Sequence, residues 1–209
     1  MANFIGAIAS ALSIFVFLPQ TVRAYRVSVE GVSALTYQVM ASALIFWLAY
    51  DSHRHYWTAL LGVSSMLVCA TLILARILQV ERDWKRTTPV YVTGVLSAGL
   101  LLNAGAFTAI GWIATALTAL IALPQLRDVF VDSNIQGVSV SSWSLNSVTA
   151  SLWLIFGILK VDAIIISANL ASLLECLAIT LETLRRRRIE AIPELQTHNS
   201  DIEEIEAIT

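Results

Sequence analysis

Ile5–Gly6, followed by Leu18–Pro19–Gln20, returns 105 residues later as Ile110–Gly111 followed by Leu123–Pro124–Gln125. Gly31–Val32–Ser33 returns as Gly137–Val138–Ser139 at an offset of 106, which Trp47 and Trp153 also keep. Such a period marks a duplicated supersecondary unit, here with one residue added in the second short loop. The apolar runs around the copies say what the unit is. Seven are present, at about Phe4–Thr21, Ser33–Tyr50, Tyr56–Leu78, Pro89–Ala106, Thr108–Phe130, Ser139–Leu159 and Val161–Leu184. About 20 apolar residues cross a bilayer as a helix, and these runs lack the strict alternation of a barrel strand. Lipid leaves an open chain no other way to satisfy its backbone. The expected fold class is an all-α membrane protein with seven transmembrane helices.

Composition agrees. Of 209 residues, 57% are hydrophobic and 13% charged, against about a quarter charged in ordinary soluble domains. That excludes a water-soluble globule, and the wealth of Leu, Ile, Val and Ala excludes disorder. Two Cys in apolar surroundings make no disulfide scaffold. No GxSxG, Walker loop, HExxH or paired-Cys pattern is present, so neither an enzyme nor a metal or other cofactor is expected. The basic residues bracket helices and form no nucleic-acid groove.

Their distribution sets an orientation. Arg23, Arg26, Arg76, Arg82, Lys85, Arg86, Arg127 and Arg185 to Arg188 fall on one side of the spans, Arg54 and Lys160 on the other. The positive-inside tendency makes the first side cytoplasmic, the N-terminus external and the C-terminus internal. The first span is not expected to be a removable signal peptide: no Lys or Arg precedes it, and Pro19–Arg26 is no small-residue cleavage site. A cell-membrane location is expected, with organelle membranes open. After Arg188, Glu190, Glu194, Asp201, Glu203, Glu204 and Glu206 accumulate, which reads as a solvated acidic tail or a docking segment.

A three-helix unit ends on the face opposite its start, so a direct fusion would invert the second copy. One extra crossing restores the direction. The plan is therefore 3+1+3, two parallel triple-helix bundles. Its parts are the first repeat at 1–80, a linker helix at 81–107 packing through Gly94, Ala98 and Gly99, the second repeat at 108–184, and the tail at 185–209.

Two Pro-Gln dipeptides, each at the inner end of the first helix of such a repeat, resemble the PQ-loop superfamily. The 3+1+3 plan is similar to SWEET sugar transporters, with each half like a SemiSWEET. The resemblance covers roughly residues 4–184. It implies alternating access, hinged at Pro19, Gln20, Pro124 and Gln125, and a sugar site built from a Trp on the second helix and an Asn on the third. Trp153 and Asn169 match that pair; after Trp47 the matching position holds Val63, with Ser64 and Ser65 beside it. Neither second helix carries Pro, so a four-proline hinge is incomplete.

The residues supply their own argument. Asn146, Thr149 and Trp153 share one helix face by their spacing. Counting 1.5 Å per residue, Trp153 lies roughly 8 Å and Asn169 roughly 12 Å below the outer surface. A Trp ring stacks on a sugar's apolar face, and an amide bonds its hydroxyls. The candidate binding set is Trp153, Asn169, Trp47, Asn146, Thr149 and Ser64. Packing is the alternative for both Trp residues. Trp57, Trp112, Trp143 and Tyr56 read as an interfacial belt; Asn103 reads as an interhelical bond. Gln20 and Gln125 are expected to tie down carbonyls freed by proline. Asp128 reads as interfacial, and His53–Arg54–His55 as a solvated loop or a pH sensor. Glu175, inside the last span, is either a proton-coupling carboxylate or a side chain snorkelling toward Arg185 or held near Pro124.

The expected function is transport of a small neutral solute, most readily a sugar. The alternatives are a proton-coupled amino-acid transporter and a non-transporting receptor. The expected partners are the solute and the bilayer, with homo-oligomers open.

Overall fold

The computed structural model describes residues 1–29, 32–131 and 139–206, with side chains at all of these but 86, 87, 128 and those from 190 onward. Gly31, Gly137 and Val138 of the repeated motif, the Asp128 side chain and the acidic side chains of the tail lie outside that set. The described residues form eight helices: α1 Ala2–Arg26, α2 Ala34–His53, α3 Trp57–Glu81, α4 Trp84–Thr87, α5 Pro89–Asn103, α6 Phe107–Val131, α7 Val140–Lys160 and α8 Ala163–Glu206. Five are long and apolar enough to cross a membrane: α1, α3, α6, α7 and the Ala163–Ile189 part of α8. The count of seven spans is thus not met by length and composition alone, because α5 has 15 residues and α2 is more polar. The boundary expected at residue 184 is not a helix end, since α8 continues through the Arg cluster. Outward-facing Phe4, Phe15, Leu61, Leu100, Leu174 and Leu181 are exposed around the molecule, the surface of a protein solvated by lipid.

Ser33 and Ser139 start α2 and α7 in the same way, each hydroxyl accepting the backbone N–H three residues on. The turns that end those helices also match. His55 and Val161 both have left-handed φ, and the N–H groups of Tyr56 and Asp162 reach back to the carbonyls of Asp51 and Gly157. Every one of these pairs is separated by 106 residues.

Packing follows the same pairing. α1 lies along α3 and α6 along α8; α3 and α8 each pack on the helix before them; and α1 meets α7 as α6 meets α2. Gly6 faces Thr58 while Ser10 faces Gly62, so α1 and α3 run the same way. Gly111 faces Ile164, which sets α6 along α8. Ser42 and Gln38 bond Val90, placing α5 beside α2 in the same direction. One end of the bundle therefore carries the α2–α3 and α7–α8 turns, hereafter the turn end. The other is the Pro-Gln end.

The repeated Ile-Gly has a steric cause. A methyl group built on Gly6 would stand 2.6 Å from Thr58 Oγ1 and 3.0 Å from the Phe156 ring; on Gly111 it would stand 2.8 Å from Tyr50 and 2.9 Å from Ile164. Each first helix thus needs a bare backbone where an aromatic ring of the other half lies against it. Gly6→Val and Gly111→Val should each cost about 1–3 kcal/mol by overpacking, read as a lower unfolding temperature in detergent. Gly99→Ala, with nothing within 4 Å, should leave it unchanged or raise it by up to about 1 kcal/mol of helix propensity.

Candidate functional site

Between α1–α3 and α6–α8 lies a cavity of about 390 Å³, within the range of about 300–1,000 Å³ of small-molecule sites. Two reciprocal hydrogen bonds cross it. Trp47 Nε1 donates to Thr118 Oγ1 at 2.9 Å, and Trp153 Nε1 donates to Ser13 Oγ at 3.2 Å. Each hydroxyl gives its own proton to the carbonyl four residues earlier, Ala114 or Ala9, leaving a lone pair turned to the indole. Trp47 stands edge-on to Tyr50, and Trp153 stands edge-on to Phe156. Both indoles line the cavity, yet their only donors are spent on the opposite half. They offer a solute ring faces alone.

The two walls differ. The second half contributes Asn146, Thr149, Asn169, Ser172 and Glu175, where the equivalent positions of the first half hold Met40, Ala43, Val63, Met66 and Cys69. Asn169 Nδ2 donates to the Ile165 carbonyl, and Thr149 Oγ1 donates to that of Leu145. The Asn169 oxygen, the Asn146 amide, the Ser172 hydroxyl and the Glu175 carboxylate make no hydrogen bond to any described residue. The only charged residues lining the cavity are Asp51 and Glu175; no Lys, Arg or His does so among the described residues.

The turn end is closed. Asp162, 3% exposed, accepts Tyr50 Oη at 2.8–2.9 Å, Tyr56 Oη at 2.9 Å and Arg54 Nε at 3.2 Å. It also caps α8 through the N–H groups of Ile164 and Ile165. Hydrogen bonding to Tyr56 holds the Arg54 guanidinium more firmly protonated than usual. Lys160 lies over the Tyr56 and Phe156 rings. Tyr50, Tyr56 and Phe156 are buried, whereas Leu18, Pro19, Leu123 and Pro124 at the other end are exposed.

Of the sequence candidates, Trp47, Trp153, Asn146, Thr149, Asn169 and Glu175 meet at this cavity. Ser64 does not; it is exposed, and Val63 takes the place on the wall. Trp143, expected in an interfacial belt, lines the cavity opposite the equivalent Tyr37. Tyr56 and Arg54 belong to the turn-end seal instead of a belt and a free loop, while His53 stacks on Phe107 at 3.6 Å. α1 and α6 continue past Pro19 and Pro124 without a break in the helix. Neither Gln20 nor Gln125 bonds a described residue through its side chain. Glu175 makes no ion pair with Arg185, which pairs with Glu182 as Arg186 does, and it lines the cavity together with Ile121 and Ala122 of α6. Ser13, Thr118, Asp51 and Asp162 were not anticipated. The offset of 105 that joins Ser13 to Thr118, and an Asp directly before the apolar run of α8, were the available signals.

No family model matches the chain. The uncharacterized protein MJ0110 of Methanocaldococcus jannaschii is 36% identical over 78 residues, which make up 37% of this chain and 84% of that protein. The chain belongs to its family. The relative is shorter than half of this chain, and the matched stretch is about as long as one three-helix unit.

The reciprocal indole bonds make a direct test. Trp153→Phe with Ser13→Ala, and Trp47→Phe with Thr118→Ala, should each show a coupling of about 0.5–1.5 kcal/mol in double-mutant cycles of detergent unfolding. Similar values for the two cycles are expected from their shared geometry.

Proposed function

We propose that this chain is a seven-crossing transporter of 3+1+3 plan, with α2 and α5 also spanning the bilayer. It moves a small neutral solute, a sugar in the first instance, between two parallel triple-helix bundles. The observation that carries this reading is the cavity between the halves, sealed at the turn end by Asp162 and its donors. A cavity shut at one end is what alternating access requires of each resting state. The amide of Asn146 and the carbonyl of Asn169 would bond hydroxyls, and the faces of Trp47 and Trp153 would cover the apolar side of a sugar ring. The volume suits one small molecule and not a folded peptide segment, which disfavours the receptor alternative. A relative shorter than half the chain fits a repeat that exists as a unit of its own. The excess of Lys and Arg at the Pro-Gln end supports a cytoplasmic Pro-Gln end and an external turn end. In that orientation, a sealed turn end corresponds to an inward-facing state of the proposed cycle.

Purified protein in liposomes should take up at least one member of a panel of radiolabelled mono- and disaccharides faster than protein-free vesicles. Asn169→Ala and Trp153→Ala should lower that rate tenfold or more, about 1.4 kcal/mol of lost solute contact. Absence of flux for the whole panel, or flux indifferent to both substitutions, would overturn the sugar reading.

A further inference from the structure

Asp51 stands one helical turn beyond Trp47 on α2, 2% exposed, at the turn-end limit of the cavity. Its Oδ1 is buried and has no hydrogen-bond partner among the described residues. The equivalent position in the second half is Gly157, so duplication did not demand an acid here. No basic group among the described residues pairs with it. Arg54 Nε is committed to Asp162 and Tyr56, Lys160 lies over the Tyr56 and Phe156 rings, and His53 is stacked on Phe107. The Met1 ammonium is at this end but on an exposed residue. α5 and α6 bring no charged residue near it, and α8 brings another carboxylate, Asp162. Asp51 also lies in the last turn of α2, where the helix dipole opposes negative charge. A carboxylate so placed is desolvated without compensation; a carboxylic acid is not.

Asp162 shows the contrast. It is equally buried but takes five donors, which is the environment of an ion. The two acids therefore divide the roles: Asp162 is the charged anchor of the seal, and Asp51 behind it is the group a seal of this kind would shield from water.

We infer that Asp51 is a proton-binding site on the cavity wall, loaded from solvent when the turn end opens, held as that end closes, and able to release its proton through the cavity toward the other end. The inference rests on the transport reading for its consequence, since a proton bound at Oδ1 on one side and released on the other travels with the solute. The step makes and breaks one O–H bond, takes one proton from the medium and returns one, and needs no other reactant. Glu175 lines the opposite part of the cavity and is the internal control, because it makes no contact with the turn-end network.

Infrared spectroscopy of the full-length protein in liposomes decides the site without any solute. The carbonyl stretch of a protonated carboxylic acid should persist near neutral pH. Asp51→Asn, isosteric and checked for helicity by circular dichroism, should remove one such band that Glu175→Gln leaves in place. Superimposable wild-type and Asp51→Asn spectra would overturn the inference. Coupling is read with a pH electrode in weakly buffered vesicle suspensions given the panel sugars. Sugar entry with alkalinisation of the medium, lost in Asp51→Asn, supports it. Sugar entry without proton movement in the wild type refutes coupling. If no sugar enters, the sugar reading fails by itself and the infrared result alone settles whether Asp51 holds the proton.

Discussion

Hydrocarbon offers no partner to a polar group, so each one inside the bundle must be satisfied by the protein or left to face a cavity. The hydroxyls obey first. Ser13, Ser42, Thr118, Thr149 and Thr183 all fold back on the carbonyl four residues earlier. Two of them then have a lone pair to spare, and both spend it on an indole from the other half. Asp162 collects five donors at the turn end. Of the groups left without a partner, Asn146, Asn169, Ser172, Glu175 and Asp51 border one space, while Thr58 Oγ1, Arg76 Nε and Thr180 Oγ1 are buried outside its lining.

Duplication explains the framework and divergence explains the site. Positions that join the halves have kept their chemistry: Gly6 with Gly111, Ser13 with Thr118, Trp47 with Trp153, and Tyr50 with Phe156 as the ring that fills the opposite glycine notch. Positions that face the cavity have split, with Met, Ala and Val on one wall against Asn, Thr and Ser on the other. A solute with an apolar face and a polar edge has one orientation that suits both walls. A symmetric cavity would have offered two.

The helices were legible because their signal is summed over about 20 residues each, and every apolar run named from the sequence overlaps one helix of 15 residues or more. The reading was weaker at α2 and α5, where polar residues or short length reduce that sum. Asn146, Thr149 and Trp153 could be placed near a cavity because spacing on one helix fixes a face. Partners across the bundle could not. That Trp153 meets Ser13, or that Tyr50, Arg54 and Tyr56 converge on Asp162, depends on which helices become neighbours, and one chain's periodicity carries no such information. The turn-end seal in particular joins residues more than 100 positions apart, and the loops that hold it read as belt and solvent when taken singly.

The two kinds of inter-half contact also differ in what they would cost to break, and this bears on how the halves could move. The indole bonds are neutral, lie near mid-bundle and are worth about 0.5–1.5 kcal/mol each. The Asp162 bonds involve a charged acceptor, at about 1.5–3 kcal/mol each, but they lie at the end of the bundle, where opening admits water to replace every one. A rocking motion displaces end contacts most and central contacts least. The strong bonds therefore sit where exchange with solvent offsets their loss, and the weak ones where little movement is required. Such an arrangement would hold one state firmly without making an alternative inaccessible, which is the energetic condition that the proposed carrier has to meet.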